Sequence, residues 1–171
     1  MNKTKAIIFD WGDTVMRDFP EYPGAMAYWP QVEAVAGIEK ALQQLRKDFI
    51  CCLASNAVDS DAGLMGLALS RVNLDQYFRY LFTSRELGYK KPDPAFYREI
   101  LRRMNTPTEQ CIAVGNDYEK DIMPAKSIGM SAIWFSTHPG SIAAPCADYK
   151  ITSMDELVPM IAKLTKRYDA K

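Results

Sequence analysis

Short, continuous apolar runs alternate along the chain with longer segments in which apolar residues recur every three or four positions. Continuous runs are typical of parallel strands that helices cover on both faces, and the longer spacing is typical of amphipathic helices. Their alternation predicts an α/β fold with a doubly wound parallel sheet, arranged in three layers. The predicted strands are residues 5–9, 49–54, 80–83, 111–114, 130–135 and 149–151.

Helices are predicted between most of these strands. The helical segments are residues 32–45, residues 59–74, the segment after Pro94, and residues 119–128. A capping box at residues 153–156 predicts the start of a last helix. Residues 15–30 are different, because prolines and aromatic residues interrupt any helical spacing there. We expect an irregular loop, either packed as a lid or exposed as a binding surface.

Composition narrows the class of protein. The chain has 171 residues, and Lys plus Arg balance Asp plus Glu at 21 each. We expect a single domain over residues 1–171 that binds neither nucleic acid nor a membrane. The N-terminus lacks the apolar stretch of a signal peptide, and no apolar run is long enough to span a bilayer. The four cysteines fit neither a zinc site nor a disulfide framework, so we expect reduced thiols in a cytoplasmic protein.

Polar residues stand at the ends of four predicted strands. Asp10 follows the first strand, Ser55 follows the second, Lys91 lies in the loop region after the third, and Asn116 and Asp117 follow the fourth. Because parallel strands share one direction, these side chains can meet at one edge of the sheet. Together they suit phosphoryl chemistry. A carboxylate can attack phosphorus, a hydroxyl and a lysine can bind phosphoryl oxygens, and an acidic cluster can hold Mg²⁺.

These segments resemble, in order, the four motifs of the haloacid dehalogenase (HAD) superfamily. The matching segments are residues 9–14 (FDWGDT), 53–56 (LASN), 88–94 (GYKKPDP) and 114–121 (VGNDYEKD). The similarity continues to residue 130 and so covers nearly the whole chain. It implies a Rossmann-like core and a Mg²⁺-dependent phosphatase that works through an aspartyl-phosphate on Asp10.

The resemblance also implies a role for each motif residue. Asp10 would be the nucleophile and a metal ligand, and Gly12 would offer its backbone carbonyl to the metal. Ser55 and Lys91 would bind the phosphoryl group, with Lys91 also steadying Asp10. Asn56 would add an amide contact. The residues implied to complete the Mg²⁺ shell are Asn116, Asp117 and Asp121.

Two positions depart from the family pattern. The second aspartate of motif I, which exchanges protons with the leaving group and with water, is replaced by Gly12, and an aspartate stands one residue later, at Asp13. General acid–base catalysis is typically worth about 10²–10⁴ in rate, so we expect a slow phosphatase unless Asp13 turns inward as the replacement. The first motif IV acid is Asn116, whose neutral amide should weaken Mg²⁺ binding unless Asp117 or Asp121 compensates.

Other interpretations stay open. Asp10 and Asp13 can be turn residues, Ser55 a helix N-cap, Lys91 a solvated lysine, and Asp121 a first-turn residue stabilised by the helix dipole. The chain can also be a catalytically degenerate member that binds a phosphorylated ligand or partner. A third possibility is a dehalogenase or phosphonatase that uses the same nucleophile.

The length of the insert after motif I bears on the substrate. Superfamily members often carry a helical cap at this place, but residues 15–30 are too few for one. The resemblance is therefore to minimally capped members, and we expect an open site. Such a site suits a phosphorylated macromolecule, or a phosphorylated small molecule if a second copy of the chain in a homo-oligomer covers it.

Overall fold

The computed structural model describes residues 6–138 and 146–169. Within them, six strands form one sheet in which every neighbouring pair is parallel. The strands are Ala6–Phe9 (β1), Ile50–Ser55 (β2), Tyr80–Thr83 (β3), Cys111–Gly115 (β4), Ser131–Phe135 (β5) and Tyr149–Ile151 (β6). Their order across the sheet is β3-β2-β1-β4-β5-β6. The two central strands, β1 and β4, are therefore far apart in the sequence.

Helices connect the successive strands from β1 to β5, and a last helix follows β6. In the described part of the chain the α-helices are Ile38–Leu45 (α1), Ala62–Ser70 (α2), Ser84–Leu87 (α3), Pro94–Met104 (α4), Met123–Ser127 (α5) and Leu157–Asp169 (α6). A single π-helical turn, Tyr118–Ile122, follows β4 and leads into α5. This turn matters below because it carries an acidic residue into the site.

Alternate residues of the central strand belong to two separate apolar layers. Ile7 and Phe9 pack with buried residues of α1, α2 and α6, whereas Ala6 and Ile8 pack with buried residues of α4 and α5. Both faces of the sheet are therefore covered, which is why its strands are continuous apolar runs in the sequence. The predicted doubly wound, three-layer α/β fold is confirmed.

The helix predicted over residues 32–45 begins later, at Ile38. Gly37, immediately before it, has a φ of +84°, which lies outside the helical region. The segment before Gly37 runs alongside the segment that follows β1, and the Val35 N–H donates to the Val15 carbonyl at 2.9 Å. Tertiary pairing overrides the helical spacing of the apolar residues here.

The helix predicted over residues 59–74 is also shorter, and its ends have local causes. The Asp61 side chain caps the start of α2 by accepting the Leu64 N–H at 2.9 Å. Beyond the end of α2, Asn73 has a φ of +58°, which a continuing helix does not allow.

Residues 15–30 form a compact loop, and no large cap covers the sheet edge within residues 6–138 and 146–169. The rings of Phe19, Tyr22 and Trp29 contact one another, with centroids 5.7, 5.8 and 6.4 Å apart. Arg71, just after α2, donates to the Trp29 carbonyl at 2.7 Å. The loop is thus held by its own aromatic cluster and by a charged donor from the neighbouring helix.

Two local predictions are confirmed. Ser153 and Glu156 form a reciprocal capping box, which opens a one-turn 3₁₀ helix leading into α6. Of the four free cysteines, Cys51, Cys52 and Cys111 are buried as expected, whereas Cys146 is exposed. Burial raises the pKa of the Cys51 and Cys111 thiols to about 12. In the described part of the chain, no helix combines the length and the apolar character that crossing a membrane requires.

Replacing Arg71 with alanine tests how the loop is held. Arg71 donates to the carbonyls of Ala27 and Trp29, so its loss should lower the free energy of unfolding by about 1 kcal/mol. Urea unfolding followed by tryptophan fluorescence measures the change. The matched control is Arg79→Ala, which removes a guanidinium that lies over the Tyr80 ring and should change stability by less than about 0.5 kcal/mol. Equal losses in the two variants would contradict the assignment.

Candidate active site

Every residue predicted for the site lines one cavity, of about 240 Å³, at the carboxyl ends of the central strands. The parallel register explains the convergence, because Phe9 at the end of β1 is level with Leu53 of β2 and with Val114 of β4. Polar residues that follow these positions must therefore emerge side by side. The lining residues are Asp10, Gly12, Asp13, Asp18, Ser55, Asn56, Lys91, Asn116, Asp117, Lys120 and Asp121.

Asp10 begins the loop after β1 and remains tied to the sheet, since its N–H donates to the Val114 carbonyl at 2.8 Å. Its Oδ1 accepts a hydrogen bond from the Lys91 ammonium at 2.5 Å, and its Oδ2 lies 3.3 Å from the Thr14 hydroxyl. The Asp10 side chain is 13% exposed. It is thus a nearly buried carboxylate held by a cation, with limited access from the cavity.

Among the lysines of residues 6–138 and 146–166, only Lys91 is buried, and its side chain is 3% exposed. Its ammonium donates to Asp10 Oδ1, to Asp121 Oδ1 at 2.7 Å and to the Ala54 carbonyl at 3.3 Å. A lysine fully enclosed between two carboxylates does not match the alternative of a solvated surface lysine. Lys90, its neighbour, is exposed.

The Asn56 carboxamide holds the backbone of Lys91. Asn56 Nδ2 donates to the Lys91 carbonyl and Asn56 Oδ1 accepts the Lys91 N–H, both at 2.8 Å. This two-way clamp fixes the loop after β3 against the end of β2. The structure therefore gives the Asn56 amide a positioning contact, where the resemblance implied a contact to the phosphoryl group.

Ser55 ends β2 and is 7% exposed. Its Oγ accepts the Ala57 N–H at 3.0 Å, which stabilises the turn after the strand. It does not cap a helix, since α2 begins seven residues later with Asp61 as its N-cap. Because the hydroxyl accepts in this contact, its proton remains available for an acceptor in the cavity.

Asp121 reaches the site from the π-helical turn after β4 and is 1% exposed. Its Oδ1 accepts from Lys91, and its Oδ2 accepts the Asp117 N–H at 3.0 Å. The carboxylate lies directly against Gly115, where any Cβ would overlap with it. Glycine at the end of β4 is therefore required for this approach, and Asp121 is far more than an exposed first-turn residue.

Asn116 and Asp117, the other motif IV residues, differ in their contacts. Asn116 Oδ1 lies 3.3 Å from the Thr14 hydroxyl, which also contacts Asp10. The Asp117 carboxylate instead pairs with the Lys120 ammonium at 2.7 Å and accepts the Lys120 N–H at 3.0 Å. Asp117 lines the cavity, but its carboxylate is paired with the exposed Lys120 ammonium.

Asp13 has a φ of +54° and an exposed side chain, and its Oδ1 accepts the Asp18 N–H at 3.0 Å. This contact is that of a turn residue. Asp18 is a cavity residue that the sequence did not single out, because it stands in an irregular loop outside every motif. The Asp18 side chain is exposed, and partial desolvation together with the charges of Asp13 and Asp10 raises the pKa of its carboxyl. The sequence points to Asp18 only indirectly, because the glycine at residue 12 leaves motif I without its second carboxyl.

The cluster around Lys91 carries more negative than positive charge. Burial alone would lower the pKa of Lys91, but the carboxylates of Asp10 and Asp121 outweigh that effect and raise the pKa well above its usual range. Burial and the charge of Asp10 raise the pKa of Asp121, and the contact with Lys91 offsets this only in part. One ammonium is thus shared between two carboxylates.

The donor set fits a divalent cation bound through oxygen. Asp10 Oδ2 and Asn116 Oδ1 converge on the same Thr14 hydroxyl, and such hard oxygen donors are the ligands Mg²⁺ prefers. The uncompensated carboxylate charge also favours a cation. In residues 6–138 and 146–169, no three acidic, His or Cys side chains stand close enough to hold a metal by themselves. The Asn116 amide, the Gly12 carbonyl and water would have to complete the shell.

The fold and site together define a class: doubly wound α/β proteins with a polar cavity at the carboxyl ends of the strands. The sequence model of the haloacid dehalogenase-like hydrolases matches residues 31–129, more than half of the chain. This match includes Ser55, Lys91 and Asp121. The chain belongs to the haloacid dehalogenase-like hydrolase family.

Individual relatives agree with this assignment. The chain is similar to the glyceraldehyde 3-phosphate phosphatase of Pyrococcus furiosus, at 28% identity over 82% of this chain and 61% of that protein. It thus spans about three fifths of the length of that relative. An uncharacterized protein of Listeria monocytogenes serotype 4b shares the fold, with a TM-score of 0.81 and 20% identity over 95% of this chain and 99% of that one. YfnB of Bacillus subtilis, solved bound to magnesium, has a TM-score of 0.67 and 19% identity over 76% of this chain and 56% of its own.

Replacing Lys91 with methionine should leave two buried carboxylates without their cation. We expect a loss of about 3–5 kcal/mol in the free energy of unfolding at pH 8, measured by urea titration in EDTA. Burial and the charge of Asp10 raise the pKa of Asp121, and loss of the ammonium removes the contact that opposes them. The folded state then binds a proton more tightly than the unfolded state, so stability should recover as the pH falls towards 5.5. Lys90→Met, the exposed neighbour, is the control and should change stability little. A loss that does not depend on pH would contradict this account.

Proposed function

We propose that this chain is a phosphatase that hydrolyses phosphoric monoesters through an aspartyl-phosphate on Asp10. The observation that carries the proposal is the enclosed pairing of Lys91 with both Asp10 and Asp121, in a cavity that Ser55 also lines. The Lys91 ammonium holds one oxygen of Asp10 and leaves Oδ2 facing the Thr14 hydroxyl and the cavity. The relative from Pyrococcus furiosus, which is named a phosphatase, supports the same chemistry.

The side chains divide the work of phosphoryl transfer. Asp10 attacks phosphorus, and the Lys91 ammonium and the Ser55 hydroxyl bind the phosphoryl oxygens as their negative charge shifts. Both donors are held before substrate arrives, Lys91 by the Asn56 clamp and Ser55 by its turn after β2. Donors that are already in place need little reorganisation as charge develops, and so stabilise it more strongly than mobile ones.

The residues that would hold Mg²⁺ are Asp10, Asn116, Asp121 and the carbonyl of Gly12. When bound, the ion supplies charge neutralisation between the nucleophile and the phosphoryl group. Asp117 is the weaker candidate, because its side chain is 36% exposed and pairs with the exposed Lys120, whereas Asp121 is buried next to Lys91 and Asp10. Support for the choice of metal comes from the oxygen-only donor set, and from the magnesium in the Bacillus subtilis neighbour of the same fold.

A catalytically degenerate binder is the competing function, and one observation favours it: residue 12 has no side chain to act as the acid. The two functions differ in a single property, since a binder holds phosphate esters without releasing phosphate. Turnover by the wild-type chain therefore decides between them.

The central test is phosphate release from p-nitrophenyl phosphate with Mg²⁺, comparing wild type with Asp10→Asn. Loss of the nucleophile should reduce turnover by on the order of 10⁴-fold or more. Asp48→Asn, an exposed aspartate beyond α1, is the charge-matched control and should retain wild-type turnover. A panel of phosphorylated small molecules, beginning with glyceraldehyde 3-phosphate, and of phosphopeptides then defines the substrate class. Equal rates for Asp10→Asn and wild type would reject the proposal.

Removing divalent cations with EDTA should abolish turnover, and Mg²⁺ should restore it. We expect Asp121→Asn to raise the Mg²⁺ concentration for half-maximal activity by about 10–100-fold, because a charge beside the ion is lost. Glu119→Gln, an exposed acid on the same turn, is the control. Asp117→Asn separates the two motif IV acids, since a shift as large as that of Asp121→Asn would assign Asp117 to the metal instead.

A further inference from the structure

We propose that Asp18 replaces the missing proton-transfer group of motif I. On this assignment, which rests on the proposed phosphatase function, Asp18 protonates the leaving-group oxygen and afterwards takes a proton from the attacking water. The chemistry needs such a group, because an alkoxide is a poor leaving group and neutral water is a poor nucleophile. Gly12 cannot supply it.

The Asp18 side chain packs beside the position from which a side chain at residue 12 would extend. A Cβ built on Gly12 would lie 3.7 Å from Asp18 Cβ, 3.8 Å from Asp18 Oδ2 and 3.9 Å from Asp18 Cγ. These are ordinary packing distances, so the carboxyl of Asp18 fills the neighbourhood of the absent side chain without crowding the backbone. The carboxyl therefore comes from a later position in the sequence but lies beside Gly12, in the loop that follows Asp10.

A second cavity explains why this place is the right one. A space of about 350 Å³ adjoins the cavity that Lys91 lines, which we call the phosphoryl cavity. We call this second space the apolar cavity, because Trp11, Met26 and Trp29 line it, although the polar side chains of Asp59 and Ser60 also belong to its wall. The two cavities share four lining residues: Gly12, Asp18, Ser55 and Asn56. The organic part of a phosphate ester fits the apolar cavity while its phosphoryl group lies against Lys91. The bridging oxygen, which must receive the proton, then lies at the boundary.

Asp18 is the only carboxyl among the four shared residues. The Ser55 hydroxyl and the Asn56 amide are neither acids nor bases near neutral pH, and Gly12 has no side chain. Asp13 also lines the phosphoryl cavity, but it is absent from the wall of the apolar one. Its Oδ1 accepts the Asp18 N–H, which makes Asp13 a positioning residue for Asp18.

The loop geometry holds Asp18 at this boundary. The Asp13 N–H donates to the Met16 carbonyl at 2.7 Å, which closes a tight turn after Gly12. On the far side of Asp18, the aromatic cluster of Phe19 and Trp29 is bound to Arg71 through the Trp29 carbonyl. Asp18 thus lines both cavities, and the loop that carries it is held by hydrogen bonds on either side of it.

The two proton transfers balance the reaction. In the first step an Asp10 oxygen forms a bond to phosphorus, the bond from phosphorus to the ester oxygen breaks, and that oxygen takes the proton of Asp18 and leaves as an alcohol. In the second step Asp18 removes a proton from water, the water oxygen bonds to phosphorus, and the bond from phosphorus to Asp10 breaks. Inorganic phosphate leaves, and Asp10 and Asp18 return to their starting states.

The test compares Asp18→Asn with wild type on two esters. Glycerol 3-phosphate releases an alkoxide that needs a proton, so its kcat/KM should fall by about 10²–10⁴-fold. p-Nitrophenyl phosphate releases a stable phenolate, so its first step should fall less than about 10-fold. Its second step still lacks the base, so stopped-flow measurement should show a burst of about one nitrophenolate per site. Glu21→Gln, an exposed acid of the same loop, should behave as wild type on both esters.

Rescue gives an independent check. Because a Cβ at residue 12 meets only ordinary contacts, the double variant Gly12→Asp, Asp18→Asn should recover at least about 10-fold of the lost rate on glycerol 3-phosphate. Equal losses on the two esters, or wild-type rates in Asp18→Asn, would overturn the assignment. Neither result would contradict the phosphatase proposal, because the comparison of Asp10→Asn with wild type tests that proposal separately.

Discussion

One buried ammonium between two carboxylates is the contact on which the rest of the site depends. Lys91 joins Asp10, at the end of β1, to Asp121, beyond the end of β4, and also contacts the backbone at the end of β2. Three strands are therefore tied at one point. Burying three charges is costly unless each is paired, so the surrounding structure must hold them in register. The same arrangement suits the proposed chemistry, because it holds a carboxylate beside a cation that can bind phosphoryl oxygens.

Much of the nearby backbone is explained by this requirement. Gly115 leaves the space that the Asp121 carboxylate fills, and a π-helical turn rather than an α-helical one brings Asp121 back towards β4. π-helical turns are rare and frequently mark functional sites. Asn56 clamps the backbone of Lys91 from the neighbouring strand end. These residues hold the three charges in place without themselves taking part in the charge pairing.

The short loop of residues 15–30 has a double role in this account. It replaces a cap domain with a small aromatic cluster, which leaves the site open but gives it one apolar wall. It also carries Asp18 to the boundary between the apolar and phosphoryl cavities. A family member that has lost the acid of motif I can thus regain it from the nearest loop, since proton transfer requires a carboxyl in the right place and not at a given position in the sequence.

The sequence by itself determined the sheet, the layers and the order of the strand-end residues. Continuous apolar runs mark buried strands, and parallel strands bring Asp10, Ser55 and Lys91 to one edge whatever the details of the loops. The sequence also left several matters open that only the tertiary structure decided: the late start of α1, the engagement of Asp117 by Lys120, the Asn56 clamp and the placing of Asp18. Each of these depends on a partner distant in sequence, or on a competition between partners within a loop. Periodicity and motif spacing describe each segment by itself. They therefore contain no information on partners distant in sequence or on competition between partners.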